Sequence, residues 1–368
     1  MLEERAYWLA WSKIPGIGPI SIARLQQHFG TLSAAWEANI AQIGQIEGFG
    51  IQTVEAVALE RSRLHPARLL QQHEQENPNF WTPNEANYPR LLLEIASPPP
   101  ILYYCGKVQP EESQGLTPMV GIVGTRHPSE YGRRWTRKLS TALARNGFTI
   151  VSGLADGIDT EAHQSCLDAG GRTLAVVGTG VDVVYPPQNR ELYQQILHQG
   201  LVLSEYPAKT PPDRTHFPPR NRIIAGMSRA VLVMEAPTKS GALITARYAN
   251  DFCRDVYVLP GSLDNPRSLG CLGLLSKGAQ IIESESHLLE MLGAMPQLDP
   301  VEPIPCEPSV PNLVPELKQV LVAIADETPF DAIVQQTGMS CGSVSSALLQ
   351  LELMGLVSQM PGMRYQRC

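Results

Sequence analysis

The sequence predicts an α/β fold, a Rossmann-like parallel sheet flanked by an N-terminal helical domain and a C-terminal winged helix. Three observations carry that reading. Between residues 120 and 283 apolar β-type runs alternate with helical stretches, as in a parallel sheet covered on both faces. Residues 1–75 repeat apolar positions at spacings of three and four, the period of helices. Beyond residue 315 three short helical patterns precede two β-type stretches.

In chain order, the helical domain (1–75) is marked by Tyr7 to Trp11, by Ile20, Ala23 and Leu25, and by Val54, Ala56, Val57 and Leu59. Two glycine-bearing turns, 14–18 and 46–50, interrupt it. Both have the form of helix-hairpin-helix (SAM-like) turns, in which glycine lets backbone approach a phosphate, although glycine also simply permits a tight turn. Lys13 and Arg24 flank the first, and Glu47 sits inside the second.

Residues 76–295 form the central domain. Its start, 76–115, is Pro-rich and irregular, with an expected edge strand ending at Tyr104. Seven strands are then expected at 120–123, 149–152, 173–177, 201–204, 230–235, 255–259 and 280–283. Residues 296–314 read as a Pro-rich linker. Residues 315–368 read as a winged helix, with helices at 315–325, 330–336 and 343–354, Gly338 closing the second, and a wing around 355–362.

The bulk composition, 368 residues with 43% hydrophobic and 18% charged, is that of a soluble globular protein of two or three domains. Seven scattered cysteines without a CxxC pair signal neither a disulfide framework nor a zinc site. The N-terminus opens with acids instead of a basic leader, and no apolar run reaches the roughly 18 residues of a membrane span. A cytoplasmic protein is expected. The net charge is −7, yet six basic residues face three acidic ones between Glu205 and Lys239, a local balance of +3. Such a basic island points to a polyanionic partner.

Ligands of open α/β sheets sit beyond the carboxyl ends of strands. Small residues cluster at those ends here: Gly124, Thr125 and Arg126 after the first strand, Ser152 and Gly153 at the second, Gly178 to Gly180 at the third, and Lys239, Ser240 and Gly241 at another. Repetition of such loops, each offering amide donors, fits a phosphate or nucleotide backbone. Arg126 suits a bidentate phosphate contact; its alternative is a salt bridge to Asp156 or Asp159. Phe217 offers a face for a nucleobase, or else is a core aromatic beside Pro218. Arg220, Asn221 and Arg222 open a helix on which the two arginines cannot share a face. Ser240 is placed to cap a helix over 241–248 that carries Thr245. Asp159 and His163, four apart, share a helix face, a spacing that acid/base chemistry or plain structure both allow. No Walker lysine, nucleophile elbow, metal cluster or carboxylate pair appears, so a non-enzymatic role without cofactor is expected. The final module has three bases against five acids from residue 309 onward, and no Lys or Arg on its expected recognition helix. Protein contact suits it better than groove reading.

From about Pro99 to Gly293 these motifs resemble the DNA-processing protein A family (DprA, also called Smf): GIVGTR at 121–126, SGLADGID at 152–159 with His163, AVVGTG at 175–180, Tyr185-Pro186, SEYP at 204–207, FPPRNRIIAG at 217–226, SGALITA at 240–246 and Leu259-Pro260-Gly261. The resemblance implies an extended Rossmann fold that binds and protects incoming single-stranded DNA, loads the RecA recombinase onto it during natural transformation, and works as a homodimer. It carries the DNA-binding role onto Arg126, Phe217, Arg220, Asn221, Arg222, Lys239, Ser240 and Gly241. One departure stands out. Leu272 occupies the place of a usual asparagine and cannot supply its hydrogen bonds. Two other readings are a LOG-type phosphoribohydrolase, which would need a glutamate where Tyr248 stands three residues after Thr245, and a mononucleotide-sensing regulator using the winged helix on duplex DNA.

Overall fold

The computed structural model describes residues 4–77, 79–293, 315–324, 328–353, 356–360 and 363–367. It divides into two compact units, residues 1–300 and 301–368.

The first unit is built on a nine-stranded sheet: β1 (Phe80–Trp81), β2 (Leu102–Gly106), β3 (Met119–Val123), β4 (Thr149–Ser152), β5 (Thr173–Val176), β6 (Leu201–Ser204), β7 (Ala230–Val233), β8 (Asp255–Val258) and β9 (Gln280–Ile281), in the order β1-β2-β6-β5-β4-β3-β7-β8-β9. From β6 to β9 all neighbours are parallel. The seven expected strands are these seven. The expected edge strand, β2, pairs antiparallel with β6 and is itself covered by β1, a two-residue strand that the irregular composition of 76–115 concealed.

Alternation along the strands feeds two cores, as a pleat with side chains on both faces requires. Val231, Val233, Val256 and Val258 enter one cluster, with Ile223 and Ala246 from the helices Phe217–Met227 and Ala242–Asp251. Ala230, Leu232, Tyr257 and Leu259 enter the other, with Leu139 and Ala162 from Glu130–Arg145 and Ile158–Asp168. The chain steps outward from β3 through β4, β5 and β6, then crosses back to lay β7 on the other side of β3. A crevice opens where the strand order reverses, between the carboxyl ends of β3 and β7.

Residues 4–76 form six helices, and their core is continuous with one edge of the sheet. Trp11, Ile22 and Val57 belong to the same buried cluster as Phe80, Tyr103 and Val202. Polar contacts follow the same seam: Arg5 donates to Phe80 O at 3.1 Å and the hydroxyl of Tyr103 is hydrogen-bonded to His73 at 2.8 Å. Both glycine turns exist, with Gly16 and Gly48 at φ +81° and +87°. Arg24 does not project from the hairpin; it donates to Glu47 O at 2.6 Å and meets the Glu47 carboxylate at 3.6 Å, tying one turn to the other.

The second unit has helices Pro315–Ala323, Phe330–Thr337 and Cys341–Leu353 and a sheet of β10 (Thr328–Pro329), β11 (Val357–Met360) and β12 (Arg364–Arg367), ordered β10-β12-β11. It closes on Val320, Ile333, Val344, Leu351 and Tyr365. Gly338 ends the second helix in the left-handed region at φ +64°, as its position predicts. This is a winged helix, with β10 as a third strand not foreseen. The expected linker at 296–314 lies outside the described residues, as do Gly355, Pro361 and Gly362.

Candidate nucleic-acid interface

A cleft of about 390 Å3 occupies the crevice between β3 and β7. Of the expected residues, Gly124, Thr125, Arg126, Phe217, Arg220, Asn221, Lys239, Ser240, Gly241 and Thr245 line it; Ser152, Gly153 and Arg222 do not. His127, Ala155, Asp159, Pro218 and Pro237 line it as well.

Phe217 begins the helix Phe217–Met227, with Pro218 and Pro219 next, where their fixed φ suits a first turn and their missing amides cost nothing. Its ring is half-exposed. It stacks on Tyr185, with centroids 5.6 Å apart and planes at 29°, and the guanidinium carbons of Arg126 and Arg220 stand 5.7 and 6.0 Å from its centroid. Behind it lies Gly178, whose missing side chain makes room: a Cβ there would sit 2.9 Å from the ring. Phe217 is therefore a platform at the mouth of the cleft and not a core aromatic.

The two arginines of this helix part company. Arg222 is buried and grips Glu205 through two hydrogen bonds of 2.6 and 2.7 Å, donating also to Ser97 O at 3.0 Å, on the side away from the cleft. Arg220 is only 4% exposed. It donates to Gly153 O at 2.8 Å and to Val176 O, so it fastens the ends of β4 and β5 from beneath the cleft floor. Burial pulls its pKa down to about 10, against the opposing pull of Asp159. Arg126, by contrast, is exposed and has no salt bridge among the described residues. The carboxylates that might have claimed it are engaged elsewhere: Asp156 accepts from Gln188 at 2.6 Å, and Asp159 from the amides of Gly153 and Ala155 at 3.1 and 3.4 Å.

Those last bonds correct one expectation. Several strand-end amides are committed within the protein: Thr125 donates to Glu235 O at 2.7 Å, Gly153 to Asp159, and Gly180 to Thr210 O at 3.0 Å. The glycines serve close approach instead. At Gly157, φ is +80°, and a Cβ would lie 2.6 Å from the carbonyl oxygens of Thr125 and Arg126. Ser152 likewise turns inward, donating to Ile122 O at 2.6 Å.

Opposite Phe217, the turn at 237–241 presents Lys239, exposed and without a salt bridge among the described residues. Ser240 Oγ accepts from Ala242 N at 3.3 Å, at the start of the helix Ala242–Asp251. Asn221 donates to Gly241 O at 3.2 Å, locking this turn to the Phe217 helix. Thr245 is buried at the cleft base.

Asp159 and His163 separate. Asp159 lines the cleft, and burial lifts its carboxyl to about 6. His163 lies wholly inside, with Nδ1 2.6 Å from the Thr173 hydroxyl, Nε2 unpartnered, and burial depressing its pKa to about 3. Leu272 lies in the helix Leu269–Leu275 and does not line the cleft. Sequence reasoning quoted Tyr185 only as part of a motif, without a role in the site, and missed the buried Glu235. The Glu235 carboxylate accepts from Ser129 N and Oγ at 2.8 and 2.6 Å and so anchors the β3 loop to β7. An acid closing an apolar strand was its one visible signal. Among the described residues no group of His, Cys, Asp or Glu could hold a metal, the cysteines are free, and no helix is long and apolar enough to cross a membrane.

Comparison with known proteins identifies the family. The profile of the family described as DNA recombination-mediator protein A matches residues 79–293, and that of the DprA winged helix domain matches 305–363. Protein Smf of Synechocystis is 53% identical over 99% of both chains, and DNA processing protein DprA of Streptococcus pneumoniae is 42% identical over 64% of this chain and 81% of that one. Among solved structures, that of DNA processing protein A from S. pneumoniae superposes with a TM-score of 0.68 at 35% identity, covering 77% of this chain and 97% of the other. A structure of DNA processing protein A from Helicobacter pylori, which concerns that protein's single-stranded DNA binding mode, gives a TM-score of 0.53 at 32% identity, covering 58% of this chain and 96% of the other.

Proposed function

The chain belongs to the DNA recombination-mediator protein A family, and from that premise we propose that it binds single-stranded DNA in the switch-point cleft. One observation carries the reading: two exposed cations without salt bridges among the described residues, Arg126 and Lys239, line the same cleft as the half-exposed ring of Phe217. Cations hold phosphates of any sequence, and an aromatic face accepts any base. The protein then protects incoming strands and passes them to the RecA recombinase in natural transformation, as a cytoplasmic homodimer. It breaks no bond. Tyr248, where the hydrolase reading needs a carboxylate, stacks on Phe252 at 5.8 Å. Titrating the purified protein with labelled oligothymidine at low salt tests the reading; no binding, or release of free base from nucleoside monophosphates, would overturn it.

A further inference from the structure

We propose a second contact track for the same DNA strand, along the outer ridge of the helix Glu130–Arg145, outside the cleft. The proposal rests on the reading of the cleft as a single-strand site. This helix, 16 residues long, carries five basic residues and one acid. They fall into two rows. Arg133 and Arg137 share one acceptor, Glu161, at 2.8 Å and at 2.7 and 3.1 Å, and Arg133 also meets Glu130 at 3.8 Å, so two carboxylates face these two cations. Arg134, Lys138, Thr141 and Arg145 form the other row, at spacings of four, three and four that place them on one helical face.

That outer row is open. Arg134, Lys138 and Arg145 are exposed. Arg134 lies over the Tyr131 ring at 5.9 Å, Lys138 lies over the Trp135 ring at 4.9 Å and meets Glu285 at 3.3 Å, and Arg145 has no ion pair among the described residues. A shallow groove of about 590 Å3 runs beside them. From Arg134 to Arg145 the ridge is about 16 Å long at 1.5 Å per residue, room for several phosphates of an extended strand.

Continuity with the cleft selects the occupant. Arg126 and His127 line the cleft and lead within two residues to Ser129, the N-cap of this helix. Arg267 donates to His127 O at 2.7 Å across the join. A strand leaving the cleft past Arg126 therefore meets the ridge end-on. Tyr131, exposed beside Arg134, gives the near end of the ridge one ring face, and the rest of the row, Thr141 and Arg145, can hold only backbone.

The test compares oligothymidines of about six and about sixteen nucleotides, lengths spanning known single-strand sites, on the parent protein and on the triple variant R134Q/K138Q/R145Q. The hexamer should bind both proteins within twofold. The longer oligomer should bind the variant tenfold or more weakly at low salt, and its slope of log K against log salt should fall by about two, near 0.7 per lost phosphate contact. The charge-preserving R134K/R145K variant should retain the parent slope. An unchanged slope for the longer oligomer, or an equal loss on the hexamer, overturns the proposal. Failure of the parent to bind either length would instead remove the reading of the cleft.

Discussion

The guanidinium carbon of Arg126 stands 5.7 Å from the centroid of the Phe217 ring, so a full charge and a stacking face share one end of the cleft. The arrangement suits a nucleotide unit, whose phosphate and base are covalently joined and must be met together.

Arg126→Ala and Lys239→Ala should each weaken single-strand binding to a similar degree for all sequences and lower the salt slope by somewhat under one unit. Fluorescence anisotropy at four or more salt concentrations measures both effects. Parent-like slopes in the two variants would remove these side chains from the interface.

Phe217→Ala should cost about 1–3 kcal/mol of binding, the contribution of a base stacked on an aromatic ring, while leaving the salt slope where it was. Gly178→Val should reproduce the loss without touching the ring's chemistry, because its added side chain invades space 2.9 Å from Phe217. A Gly178→Val protein that binds like the parent would show that the platform's position does not matter.

The two buried arginines should report on stability more than on binding. Arg222→Ala strands Glu205 in a largely buried site, a change that costs about 3–5 kcal/mol in comparable pairs. Arg220→Met removes the donor that Gly153 O and Val176 O share, at about 1–3 kcal/mol. Urea midpoints read both; the double variant R222M/E205L should recover part of the first loss, and a midpoint no better than that of Arg222→Ala would refute the ion pair's role.

Acid should weaken the contribution of His163 to the stability of the first unit. Its pKa in the folded protein is held near 3 by burial, against about 6.5 in an unfolded chain, so the unfolded form binds the extra proton. That contribution is complete above about 6.5 and declines as pH falls toward 3. Asp159 works in the opposite direction: raised to about 6 from about 3.9, it favours folding at low pH and loses that contribution as pH climbs through 6. Between pH 6 and 4 the two nearly offset, so the parent should change little there, whereas His163→Asn, which leaves Asp159 alone, should gain stability as pH falls from 7 to 5. A His163→Asn urea midpoint that stays level or falls between pH 7 and pH 5 would contradict this.

Much of the architecture was legible in the chain because buried parallel strands write themselves as continuous apolar runs. The seven runs from β3 to β9 carry the pattern, and the basic residues at their carboxyl ends mark the cleft. Two features were hidden for physical reasons. β1 has two residues, too few for any period to show. The division of labour between Arg220 and Arg222 depends on where Glu205, Gly153 and Val176 lie in space, and residues two apart on a helix merely have to diverge. Amide availability was misjudged for a related reason: glycine at a strand end looks the same in sequence whether its N–H faces a ligand or Asp159.

The seam between the first six helices and β1 and β2 bears on how this protein can be dissected. Trp11, Phe80 and Tyr103 belong to one cluster, so removing residues 1–77 would leave oily surface bare on the sheet edge. A shortened version would tend to precipitate before it could be assayed. Swapping this segment between relatives would succeed only if its counterpart surface travelled with it.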